Sequence, residues 1–142
     1  MPNADIFVFA VSLSEFDEVC YEDGSTNRLT EGLRVFEEYV DYKYVTTPPR
    51  PIYIIFNKMD VLEEKIKRGV KLSHYFPEFI GNDSNVKEVS QFIVHSYLKL
   101  DTHSRIVKIF KTCALNPQHV KSCFETIISN AIQGEEQDES IQ

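Results

Sequence analysis

The sequence predicts an α/β fold in which three parallel strands form a sheet with flanking helices. Short apolar runs of strand length alternate with longer segments whose apolar residues recur at helical spacing. The order strand, helix, strand, helix, helix, strand, helix is typical of parallel sheets, because parallel strands need a crossover between them. A length of 142 residues and a hydrophobic content of 42% suit a single domain.

Two strands joined by a long helix are predicted for the first half of the chain. Residues 6–11 are an unbroken apolar run, the pattern of a strand covered on both faces. Residues 52–56 form a second such run. Between them, prolines in residues 46–51 end a helix with a regular apolar stripe. The stripe consists of Leu29, Leu33, Phe36 and Val40.

The second half predicts three further helices and a third strand. A short charged helix over residues 61–68 should stop near Gly69, and a loop follows. Residues 82–84 can cap the next helix, and residues 106–110 are the third strand. Asn116 should cap the last helix. The apolar faces of these two longer helices are Val86, Val89, Phe92, Ile93 and Tyr97, then Val120, Phe124, Ile127, Ile128 and Ala131.

The net charge of −7 is concentrated at one end of the chain. Four acidic residues between positions 135 and 139 leave only −3 on the remainder. This balance argues against nucleic acid as a partner, because phosphate binding needs clustered Lys and Arg. Residues 134–142 are therefore predicted to form an acidic flexible tail.

The composition also bears on the cellular compartment. The three cysteines include no C-x-x-C pair, which suits the reducing cytoplasm. No apolar stretch reaches the ~18 residues that a membrane-spanning helix needs. The first residues, Met-Pro-Asn, give neither a signal peptide nor a myristoylation site, so no lipidation site is expected on this chain.

A polar turn directly after the second apolar run is the most informative motif. Asn57, Lys58 and Asp60 stand where a parallel strand delivers side chains into a ligand crevice. The Asp60 carboxylate can accept two hydrogen bonds, which fits the ring N–H and exocyclic amine of guanine. Asn57 offers an amide for the base edge, and the Lys58 stem can lie along the ring. The alternative is a plain polar strand end capped by a turn.

A second polar segment follows the third predicted strand. Residues 111–115 read Lys-Thr-Cys-Ala-Leu and precede a helix start. The small side chain of Ala114 would let a backbone N–H approach a base carbonyl closely. The two segments together predict a guanine-binding crevice.

The chain resembles the alpha subunits of heterotrimeric G proteins. The similar segments are residues 57–60 and 111–115, with Leu-Ser-Glu-Phe-Asp at 13–17, Asn-Arg-Leu-Thr-Glu at 27–31 and Tyr-Phe-Pro-Glu-Phe at 75–79. The resemblance covers nearly the whole chain. It implies a partial Ras-like P-loop GTPase domain, in which residues 1–133 correspond to the C-terminal half of the family's GTPase domain.

The resemblance implies a site, cofactors and partners. The guanine-binding residues it implies are Asn57, Lys58, Asp60, Cys113 and Ala114. The cofactors are GTP and GDP, with Mg²⁺ in the family. The partners are G-protein beta-gamma subunits, a G-protein-coupled receptor and an effector, at the cytoplasmic face of the plasma membrane. The family relays receptor signals and hydrolyses GTP.

Part of the family pattern has no counterpart in this sequence. No G-x-x-x-x-G-K-[ST] motif occurs, so no phosphate loop, catalytic residue or magnesium ligand is assigned. Leu115 stands where the family usually has threonine, and residues 134–142 lack the usual receptor tail. We expect the chain alone to be inactive as a GTPase. The alternative function is a non-enzymatic interaction module that has lost the phosphate site.

Other polar residues have two interpretations each. Glu31 matches the family glutamate that pairs with a switch arginine, or it lies on a solvated helix face. Residues 42–51 resemble the effector-contacting loop, or they are ordinary loop material. The four histidines, His74, His95, His103 and His119, share no metal-ligand spacing.

Overall fold

A computed structural model describes residues 7–43, 51–102 and 106–112, and separate helical positions between 118 and 129. Its strands are β1 (Phe7–Ser12), β2 (Ile52–Asn57) and β3 (Ile106–Lys111). Its helices are α1 (Arg28–Lys43), α2 (Met59–Lys67), α3 (Leu72–Tyr75) and α4 (Val86–Leu98). The strands form one sheet in the order β1-β2-β3, with both pairs parallel. The predicted fold class is confirmed.

The strand register brings the carboxyl ends of all three strands to one edge of the sheet. Ser12 lies opposite Asn57, and Phe56 lies opposite Lys111. The β2–β3 register shifts by one residue between Ile52 and Tyr53 and is regular from Tyr53 to that edge. Polar residues that follow each strand therefore lie near one another.

The main core lies on one face of the sheet. The side chains of β2 from Ile52 to Phe56 are all buried. Phe36 of α1 packs edge-to-face on Phe9, with 5.0 Å between ring centroids, and on Tyr97 of α4, at 5.5 Å. Gly32 allows the two helices to approach, because a Cβ there would lie 2.5 Å from the Tyr97 hydroxyl. The predicted apolar stripes of α1 and α4 thus form the core.

The opposite face of the sheet is covered less completely in the described part of the chain. Tyr53 and Ile55 are buried there beside Phe110, but Val8 of β1 is 37% exposed. The prediction that both faces of the first strand are covered is therefore wrong at Val8. The reason is that β1 lies at the edge of the described sheet and α1 packs on only one of its faces.

The start of α4 differs from the sequence prediction. Its cap is Asn85, whose Oδ1 accepts a hydrogen bond from the Glu88 N–H at 3.1 Å, and not residues 82–84. Asp83 instead accepts from the backbone N–H and hydroxyl of Ser73, at 2.9 and 2.7 Å. These bonds lower the pKa of Asp83. By its position in the sequence, Asp83 could have capped α4, but its carboxylate binds Ser73 of α3 instead.

Helix α2 lies close to its predicted position, and only part of the last helix is among the described residues. Helix α2 begins two residues before the predicted position and ends before Gly69, which has a φ of +90°. Helical positions between 118 and 129 agree with the predicted last helix, and Ile128 of its stripe is 56% exposed. The other stripe residues, the predicted cap Asn116, residues 44–50 and the acidic tail lie outside the described residues. Among described residues, no helix is long and apolar enough to cross a membrane.

The buried ring of Phe36 provides a test of the core. We expect Phe36→Ala to lower the free energy of unfolding by about 3–5 kcal/mol, because it leaves a cavity between the sheet and α4. Its helix neighbour Val35 is 41% exposed, so Val35→Ala should change stability by less than about 0.5 kcal/mol. Chemical denaturation of both variants measures the difference. Equal losses would contradict the described packing.

Candidate functional site at the carboxyl edge of the sheet

A single residue turns the chain from β2 into α2. Lys58 has φ 64° and ψ 38°, a left-handed conformation that costs a side-chain-bearing residue roughly 1–2 kcal/mol. Its N–H donates to Asn57 Oδ1 at 2.8 Å, and its carbonyl accepts from the Leu62 N–H at 3.1 Å. These bonds offset the strain and direct residues 57–60 out of the sheet edge.

Asn57 is held from two sides. Its backbone carbonyl accepts from the Leu13 N–H at 3.0 Å. Its Oδ1 accepts from the Lys58 N–H and from the Thr112 hydroxyl, the latter at 2.9 Å. Because the side-chain oxygen is used inside the protein, the amide N–H₂ group is what Asn57 has left to offer a ligand.

Thr112 joins the two polar segments and was not among the predicted site residues. It is 1% exposed and follows β3 directly. Its N–H donates to the Phe56 carbonyl at 2.8 Å, and its carbonyl accepts from the Met59 N–H at 3.0 Å. Its position after an apolar strand, like that of Asn57, was the available sequence signal. The predicted residues Cys113 and Ala114 lie outside the described residues.

Asp60 lies in the first turn of α2, where the helix dipole favours a negative charge. Its Oδ1 is buried and has no hydrogen-bond partner among the described residues. A buried polar atom without a partner destabilises the fold by roughly 1–3 kcal/mol. A ligand with N–H donors would satisfy this atom.

A buried lysine lies farther along the same helix. The Lys65 ammonium contacts the Ser14 carbonyl oxygen, Asp17 Oδ1 at 2.6 Å and Glu18 Oε2 at 2.9 Å. Burial disfavours its charge, but the hydrogen bonds with both carboxylates outweigh this and raise the pKa of Lys65. The hydrogen bond from Lys65 lowers the pKa of Glu18 despite partial burial, and Arg28 adds to this effect.

The remaining polar candidates have ordinary surroundings. Glu31 forms an ion pair with Arg34 one turn away, at 2.6 Å, and this contact lowers the pKa of Glu31. His74 and His95 are exposed, and His103 and His119 lie outside the described residues. No group of three His, Cys, Asp or Glu that could hold a metal ion occurs in the part of the chain that the structure describes.

The Thr112 hydroxyl is expected to stabilise the turn. Thr112→Val keeps the side-chain shape and removes the bond to Asn57, so we expect a loss of about 1 kcal/mol in the free energy of unfolding. Thr102 is an exposed threonine in another turn, and Thr102→Val is the matched control. Urea titrations of both variants test this. If they lose the same stability, the hydroxyl bond does not hold Asn57.

Comparison with known proteins identifies the family of this chain. The family model of the G-protein alpha subunit matches residues 1–131. The chain is 37% identical over 121 residues to the guanine nucleotide-binding protein alpha-2 subunit of Dictyostelium discoideum, covering 84% of this chain and 32% of that protein. The alpha-12 subunit of the same organism is 35% identical, with 84% and 33% covered.

An animal relative gives the same result. The chain is 35% identical over 122 residues to the mouse guanine nucleotide-binding protein subunit alpha-13, covering 84% of this chain and 32% of that subunit. The chain therefore spans about a third of the length of these relatives. With its three parallel strands, flanking helices and a family match over most of its residues, this chain belongs to the G-protein alpha subunit family.

Proposed function

We propose that this chain provides the guanine-recognising part of a nucleotide site, with Asn57, Lys58, Asp60, Cys113 and Ala114 as the binding residues. The observation that carries the proposal is the buried Asp60 Oδ1, which has no hydrogen-bond partner among the described residues. Guanine presents a ring N–H and an exocyclic amine side by side, and one carboxylate can accept from both. The residues of the turn thus fit the guanine base that the family implies.

Selectivity for guanine follows from this carboxylate. Adenine lacks the pair of donors that Asp60 would accept. A site that depends on a hydrogen bond rejects an analogue lacking it by roughly four to five powers of ten when the site is fully formed. In this chain, base discrimination is therefore the property to measure, even where the total affinity is low.

The other residues have supporting roles in the proposal. Asn57 donates from its amide group to the base edge, because its oxygen is already bonded within the turn. The partly exposed Lys58 lays its methylene stem along the ring and keeps its ammonium in water. The backbone N–H of Ala114, beside Cys113, donates to the base carbonyl. A bound Mg²⁺ would neutralise the charge that develops on the nucleotide phosphates during hydrolysis, and no residue of this sequence is assigned to hold it.

Membership of the family supports a wider role for the whole protein. The relatives are named guanine nucleotide-binding proteins, which favours a nucleotide-binding alpha subunit over a non-enzymatic module. GTP hydrolysis, relay from a G-protein-coupled receptor, and contacts with beta-gamma subunits and an effector are part of this proposal. So is a location at the cytoplasmic face of the plasma membrane.

Replacing the carboxylate should change the base preference. We expect the unmutated chain to bind GDP in preference to ADP, and Asp60→Asn to abolish that preference and favour xanthine nucleotides, whose extra carbonyl suits an amide donor. Competition measured by saturation-transfer NMR reports the ratio. Glu63→Gln, an exposed acid on the same helix, is the matched control. Equal competition by ADP and GDP against the unmutated chain would refute the guanine assignment.

Hydrolysis by the 142-residue chain is a separate question. Stabilisation of the transition state in such enzymes comes mainly from the phosphate loop, its lysine and Mg²⁺, and these residues contain no such loop. We expect no phosphate release from GTP above the buffer rate. A malachite-green assay with Asp60→Ala, purified identically, controls for contaminating enzymes. Magnesium-dependent turnover that Asp60→Ala removes would contradict the prediction.

A further inference from the structure

Lys65 is only 8% exposed, although lysines are rarely buried without partners. Its ammonium has three donors, and three acceptors surround it: the Ser14 carbonyl, Asp17 at 2.6 Å and Glu18 at 2.9 Å. All three acceptors belong to residues 13–18, which we call the linking segment because it leads from β1 towards α1. Lys65 thus ties α2 to a segment more than forty positions away.

The linking segment also holds the end of β2. The Leu13 N–H donates to the Asn57 carbonyl at 3.0 Å, and the Leu13 side chain is fully buried. The same stretch of chain therefore bonds to the protein before the turn, at Asn57, and after it, at Lys65. Asp60 lies between these two points of attachment.

The start of α2 is held by the bond from the Met59 N–H to the Thr112 carbonyl, and Lys58 at its N-terminus adds no side-chain capping bond. Leu62 and Ile66 bury the apolar side of the helix, but apolar contacts are not directional and resist rotation weakly. The hydrogen bonds of Lys65 are directional. Asp60 and Lys65 are about 7.5 Å apart along one helix axis, so any rotation of α2 moves both.

We infer that Lys65 is a positioning residue for base recognition, which sets the orientation of the Asp60 carboxylate by fixing α2 to the linking segment. This inference rests on the proposed role of Asp60 as the guanine acceptor. Two simultaneous hydrogen bonds to a planar base require the carboxylate to be placed within about 0.5 Å of its productive position. Lys65 touches no ligand in this arrangement and acts only through the helix.

The test compares two lysines of α2. Lys65→Met removes the buried ammonium, and Lys67→Met removes an exposed one from the same helix. Without nucleotide, we expect Lys65→Met to speed amide hydrogen exchange at Met59 and Leu62, while Ile54 and Ile93 in the core keep their protection. With nucleotide, the ratio of GDP to ADP affinity should fall about tenfold. Lys67→Met should leave both the amide exchange rates and the affinity ratio unchanged.

A milder variant covers the case in which Lys65→Met unfolds and Ile54 and Ile93 also lose protection. Asp17→Asn keeps the side-chain volume and weakens the ion pair, so it should shift the same two amides and the same ratio in the same direction. Of Lys65→Met and Asp17→Asn, the variant that stays folded decides the test. If its amide exchange and its GDP-to-ADP affinity ratio match those of Lys67→Met, the inference is overturned and the role of Asp60 stands. If the unmutated chain shows no GDP preference, the proposed function fails, and the inference fails with it.

Discussion

The burial of β2 between two parallel neighbours is the constraint on which the rest of the structure depends. Its residues Ile52 to Phe56 are at most 4% exposed, so every backbone polar group of the strand must be paired within the sheet. β1 and β3 provide those partners on its two sides. The pairing continues one step past the strand, since Leu13 bonds to the Asn57 carbonyl and Thr112 to the Phe56 carbonyl.

This continuation explains why polar chemistry collects where β2 ends. The apolar run of β2 ends at Phe56, β2 itself ends at Asn57, and α2 begins only two residues later, at Met59. Lys58 accepts an unfavourable backbone conformation to make this change of direction in one residue. Asn57 and Thr112 compensate with side-chain bonds, and the buried Asp60 Oδ1 has no hydrogen-bond partner among the described residues, which supports its proposed contact with a base.

Much of the fold could be predicted because hydrophobic periodicity reflects burial directly. The strand β2 and the stripes of α1 and α4, with Phe36 and Ile93 fully buried, follow from spacing alone. Periodicity could not identify α3, which has only four residues. Nor could it tell that Asn85 rather than residues 82–84 caps α4, because Asp83 is taken by Ser73, ten positions earlier in the chain.

The candidate site shows the same division. The positions of Asn57 and Asp60 at and just after the end of β2 were predictable because both follow an obvious apolar run, and their residue types suit the base contact proposed above. The contacts of Thr112 and Lys65 were not predictable, although the position of Thr112 after an apolar strand was visible, because they join distant segments: Thr112 bonds to Asn57, and Lys65 to Asp17. A local pattern names the groups that can meet a ligand, whereas the residues that hold them in place are found only when distant segments are brought together.

The described geometry also separates two tasks that a nucleotide site must perform. Recognition of a base depends on a few directional bonds, and a carboxylate such as Asp60 can supply discrimination without much total affinity. Binding and reacting phosphates depends on concentrated positive charge and Mg²⁺. Bonds among Asn57, Lys58, Met59 and Thr112 hold the turn in a defined geometry, which supports its proposed role in the first task. If Asp60 is the base acceptor proposed above, the first task depends on bonds among Asn57, Lys58 and Thr112 that involve no phosphate group.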